Sequence, residues 1–114
     1  MRPIKVTAKF KIKDGNLEAF KAIIPEIIKE VMDNDPGTLV YEWFLNEELM
    51  ECVVWEVYKD SDSIMAHTGN VGPYLDQLLN LSNATLELYG DPSQELMDIT
   101  EGLNIRVYPF IDGM

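Results

Sequence analysis

IKVTAKFKIKDGNLEAFKAIIPEIIKEV, residues 4–31, changes its hydrophobic period half-way along. Ile4, Val6, Ala8, Phe10 and Ile12 alternate strictly with Lys5, Thr7, Lys9, Lys11 and Lys13, the period of two of a strand with one buried face. Asp14-Gly15-Asn16 supplies a turn and a helix start. Beyond it Leu17, Phe20, Ile23, Ile24, Ile27, Ile28 and Val31 recur at helical spacing, which predicts a long amphipathic helix. Pro25 inside it removes a backbone donor, so a kink or break is expected there. Asp35-Pro36-Gly37 stops the helix.

Two strands are expected next, over residues 38–46 and 49–58, with Asn46, Glu47 and Glu48 as a hairpin connection. Leu39, Tyr41, Trp43 and Leu45 share one side of the first, with Val40 and Phe44 around Glu42 on the other. The second has Val53, Trp55 and Val57 on one side, and Cys52, Val54 and Tyr58 around Glu56 on the other. A sheet in a small α+β chain normally covers one face with helices, yet both faces here are largely apolar. The expected answer is a homodimer packed through sheet faces, with Tyr41 and Trp43 in the seam.

Asp60-Ser61-Asp62 reads as the start of a short helix through Ile64, Met65 and His67, ended by Gly69 and Gly72, with Pro73 opening another. A strand over residues 84–90 follows. Asp91-Pro92-Ser93-Gln94 then caps a helix through Leu96, Ile99 and Leu103, and Ile105, Val107 and Pro109 form an edge strand. The order gives an α+β fold with a ferredoxin-like antiparallel sheet and helices on one face.

At 114 residues the chain is expected to be a single domain over 1–114. Nine basic against twenty acidic residues leave a net charge of −11, which argues against nucleic acid and anionic membrane surfaces as partners. The N-terminus alternates apolar and basic residues where a signal peptide would need an apolar block, and the protein is read as cytoplasmic. Cys52, the one cysteine, reads as a buried small hydrophobe. One histidine and one cysteine do not make the usual zinc ligand sets, and residues 33–37 lack the spacing of a calcium loop. Lys9 and Lys11 are placed to meet Glu42 or Glu56 across strands.

Trp55-Glu56-x-Tyr58 entering a helix, His67 nine residues beyond Tyr58, and a lysine-studded strand turning at Asp14-Gly15 into a helix resemble the antibiotic biosynthesis monooxygenase family. Pro36-Gly37, Asn70-Val71-Gly72 and the segment 86–93 extend the resemblance over most of the chain. It implies a dimeric α+β barrel. It also implies oxidation of a small aromatic substrate, a quinol, phenol or anthrone, with dioxygen and with no metal, flavin or other cofactor. His67 would then transfer the proton, and Tyr58, Trp55 and Tyr74 would line the pocket. Heme-degrading relatives use an asparagine on the first strand, but Ala8 stands at that position, so heme is not carried over. The alternative is a non-catalytic dimeric barrel that binds a small apolar ligand or serves as an assembly module.

Overall fold

A computed structural model describes residues 2–114. The elements run β1 (Ile4–Ile12), α1 (Leu17–Asn34), β2 (Thr38–Asn46), β3 (Glu51–Tyr58), α2 (Ser61–Leu81), β4 (Ser82–Tyr89), α3 (Gln94–Ile99) and β5 (Ile105–Tyr108). The strands form one sheet in the order β2-β3-β1-β4-β5. Its first four members are the antiparallel core of the ferredoxin-like βαββαβ pattern. The sheet is mixed rather than wholly antiparallel, because β5 joins the edge parallel to β4. A chain that must place α3 between β4 and β5 crosses over, and a crossover of that kind returns a strand in the parallel sense.

The alternation in β1 does what its period requires. Ile4, Val6, Ala8, Phe10 and Ile12 are all buried, while Lys5, Lys9 and Lys11 are exposed on the opposite face. From α1, Phe20, Ile23, Ile27 and Val31 descend on the sheet at spacings of three and four. Pro25 does not break α1. It lies on the exposed side, where water can satisfy the carbonyl that its missing N–H leaves free.

The helix after β3 departs from expectation. Gly69, Gly72 and Pro73 neither end one helix nor begin another; they lie inside a continuous 21-residue α2. Ile64, His67, Val71 and Leu78 form a single buried stripe along it. Burying that stripe on the sheet outweighs propensity costs of about 1 kcal/mol for each glycine and about 3 kcal/mol for the proline. Asp60 caps its start by accepting from the Ser63 N–H at 2.8 Å.

Smaller corrections concern turns and charges. β3 begins at Glu51 rather than residue 49, because Met50 takes a left-handed backbone (φ 53) that closes the turn after Glu47. Lys11 sits opposite Glu51, and Glu56 lies on the inner face opposite Val6, out of reach of the lysine row. Among the described residues no helix is long and apolar enough to cross a membrane.

Gly37 fixes how α2 docks. A Cβ built there would lie 2.1 Å from Ser63 Oγ and 2.5 Å from Ser63 Cβ, in the first turn of α2. Gly37→Ala is expected to lower stability by about 1–3 kcal/mol through overpacking. Urea unfolding measures the loss, and adding Ser63→Gly restores most of it if the clash is the cause.

Candidate functional site

Between the inner sheet face and α2 lies a cavity of about 260 Å³. Strand parity decides what faces it. On β3 the inward residues are Cys52, Val54, Glu56 and Tyr58, all buried, whereas Val53, Trp55 and Val57 point to the other side. Trp55 is therefore not a wall of this cavity; it is 41% exposed on the outer face. Tyr41 and Trp43 pair with Glu56 and Val54, so they share the inner face. They line the cavity rather than an outer seam; a register shift between Thr38 and Val40 sets Leu39, of the same parity, apart from them, and it is exposed. Tyr74 is half-buried against the core and is not part of the lining.

His67 and Tyr58 do line it. His67 is buried, and its Nδ1–H donates to Asp35 Oδ2 at 2.6 Å. Asp35, the C-cap residue of α1, is equally buried, and its other carboxylate oxygen accepts from the Asn70 side-chain amide. A residue read only as a helix stop thus orients the imidazole. With Nδ1 occupied, neutral His67 presents the lone pair of Nε2. Burial holds its pKa below the ordinary 6.5, and the bond to Asp35 opposes that shift only in part.

Glu56 faces Nε2, with Oε1 at 3.8 Å. The Tyr58 hydroxyl donates to the same oxygen. Burial among apolar groups lifts the Glu56 carboxyl from about 4.5 to about 7, against the pull of the Tyr58 bond. Near neutral pH this group both takes up and gives up a proton. Burial and the neighbouring Glu56 carboxylate push the Tyr58 phenol well above its usual range, so it acts as a donor and not as a phenolate. The edge of the Tyr41 ring meets His67 at 5.2 Å between centroids, and Tyr58 flanks it at the same distance. Phe10 stacks on Trp43 at 6.0 Å behind them.

The site therefore pairs an Asp35-oriented base with a carboxyl poised near neutrality in a largely apolar chamber, an arrangement suited to moving a proton to and from a bound ligand. Cys52 takes no part, since burial raises its thiol to about 11 and keeps it protonated. Among the described residues no group of three or more His, Cys, Asp or Glu side chains is arranged to hold a metal ion. Glu56 and Asp35 were not among the expected site residues. For Glu56 a signal existed: it is the lone carboxylate on the inward parity of β3, where an unpaired charge is costly. For Asp35, in a turn-like Asp-Pro-Gly, local sequence carries none.

Residues 3–72 match the family model described as antibiotic biosynthesis monooxygenase. No curated protein matches the sequence. Among solved structures, MupZ from Pseudomonas fluorescens is 22% identical, with a TM-score of 0.81 over 100% of this chain and 94% of its own. A conserved protein from Methanosarcina mazei Go1 is 20% identical, with a TM-score of 0.71 over 78% of this chain and 92% of its own. A variant of SnoaB, a cofactor-independent oxygenase from Streptomyces nogalater, is 15% identical, with a TM-score of 0.68 over 82% of this chain and 97% of its own. At these identities the likeness speaks for the fold.

Proposed function

The chain belongs to the antibiotic biosynthesis monooxygenase family, and from that premise we propose that it oxidises a small aromatic substrate of quinol, phenol or anthrone type with dioxygen, without a cofactor. The observation that carries the reading is the Asp35–His67 pair, with Glu56 opposite, inside the apolar cavity. His67 Nε2 takes the acidic proton of the substrate, and Asp35 stabilises the imidazolium that results. The substrate anion, held away from water, then supplies the electrons. For an anthrone, dioxygen adds at the anionic carbon, and the hydroperoxide loses water to leave a carbonyl. Glu56, protonated over part of the neutral range, is placed to return a proton. Tyr58 and Tyr41 hold the ring, whereas Trp55 and Tyr74 leave the proposed substrate shell.

Oxygen uptake by metal-free and flavin-free protein with a panel of quinols, phenols and anthrones tests this. Uptake that depends on protein and substrate supports it, and a flat trace across the panel sinks it. One observation favours the second reading, binding of an apolar ligand without turnover. Among the described residues no lysine or arginine lines the cavity to favour an anion. Saturable binding with no uptake would establish that reading.

The proposed protein is a cytoplasmic homodimer joined through the outer sheet face. There Phe44 and Trp55 are 56% and 41% exposed beside Val40, Val53 and Val57, an apolar patch of the kind that marks an interface. Sedimentation of the unmodified chain is expected to show a dimer at micromolar concentration. The double variant Phe44→Glu, Trp55→Glu is expected to sediment as a folded monomer.

A further inference from the structure

The cavity has two unlike halves. At its closed end, under β2 and β3, stand the groups that hydrogen-bond or titrate, with Tyr58 1% and Glu56 and His67 each 7% exposed. Its other half lies under β4 and β5 and is walled by residues such as Leu78, Leu86, Leu88, Leu96 and Ile105. Two polar side chains line that half. Thr100 donates to the Met97 carbonyl at 3.1 Å, and Asn104 lies exposed at the rim. The mouth is apolar as well, since Leu79, Ile99 and Leu103 line the cavity while 40%, 52% and 49% exposed.

The two edges of the sheet, β2 and β5, are four strand spacings apart, about 19 Å. The lining runs from Tyr41 and Trp43 on β2 to Ile105 on β5, so the cavity of about 260 Å³ is drawn out across the sheet rather than round. The family match ends at residue 72, so β4, α3 and β5 all lie beyond it.

We infer that the ligand is an amphiphile, with a hydrogen-bonding, ionisable head seated against His67 and Glu56 and an unbranched apolar chain lying under α3 and β5 toward the mouth. A molecule of that shape enters head first. Its head gains the donors and acceptors of the closed end, and its chain gains apolar surface that a compact phenol leaves unfilled. This deepens the proposed function and rests on it for the placement of the head; the chain's place rests on the lining alone.

Phenol, 4-butylphenol and 4-octylphenol titrated into the protein by calorimetry test it. Affinity is expected to rise by up to about fourfold per added methylene until the channel is filled. Leu86→Phe, which narrows the channel, and Ile99→Asp, at the exposed rim where folding is not at risk, are each expected to weaken 4-octylphenol by about tenfold or more while leaving phenol unchanged. An affinity that stays flat along the series, or variants that weaken phenol as much as 4-octylphenol, would overturn the inference. Oxygen uptake is a separate readout. A chain-length series without turnover would defeat the oxygenase proposal and leave this one standing, and turnover with a flat series would do the reverse.

Discussion

Replacing His67 with asparagine is expected to lower turnover of an accepted substrate by about 10²–10⁴-fold, the usual contribution of a positioned base. Asparagine can keep an N–H donor close to where Nδ1 now meets Asp35, so the buried carboxylate is not stranded and the fold should persist. Ligand affinity should change little, which separates a lost base from a lost pocket. Asp35→Asn is the companion variant, because Asp35 acts through His67 and not on the ligand. Asp35 raises the imidazole pKa against the effect of burial, so removing its charge should move the acid limb of the pH–rate profile to lower pH. In the unmodified protein that limb lies below 6.5, and the limb set by Glu56 lies near 7. A His67→Asn protein with full activity, or an acid limb unmoved in Asp35→Asn, would remove His67 from the chemistry.

How far the sequence foretold this site depends on which physical rule governed each residue. β1 was legible because lysines mark its wet face and leave one choice of inside. In β2 and β3 both faces are apolar, and periodicity then groups residues without saying which group turns inward. Periodicity alone therefore does not reveal that Tyr41 and Trp43 turn inward. Trp55 and Tyr58 have opposite parity on one strand, which already forbids both from lining the same wall. α2 is continuous although Gly69, Gly72 and Pro73 are local stop signals, because the stripe Ile64, His67, Val71 and Leu78 that overrides them acts only once the sheet is present. Asp35 and His67 are 32 residues apart in sequence, and their meeting depends on the packing of α1 against α2. No local pattern encodes it.

Glu56→Gln is expected to change the pH dependence of stability more than stability at any single pH. In the folded chain burial raises the Glu56 carboxyl from about 4.5 to about 7, so between those values the native state binds the proton that the unfolded state has released. Stability must then fall as pH rises through that window and level off above about 7. The shift corresponds to a loss on the order of 3 kcal/mol. Glutamine carries no charge to bury and lacks this slope. Its amide leaves N–H groups to satisfy, a cost of about 1–3 kcal/mol that is the same at both ends of the window. His67, whose pKa burial lowers, destabilises both proteins as pH falls below about 6.5 and largely cancels in the comparison. Urea unfolding of both proteins at about pH 5 and about pH 8.5 should therefore show the difference moving toward the glutamine variant by about 3 kcal/mol. Parallel stabilities at the two pH values would mean that Glu56 is ionised throughout, and it could not then return a proton to the ligand. The same variant should lose the limb near 7 in the rate profile, which ties the cost of burying this carboxyl to the work proposed for it.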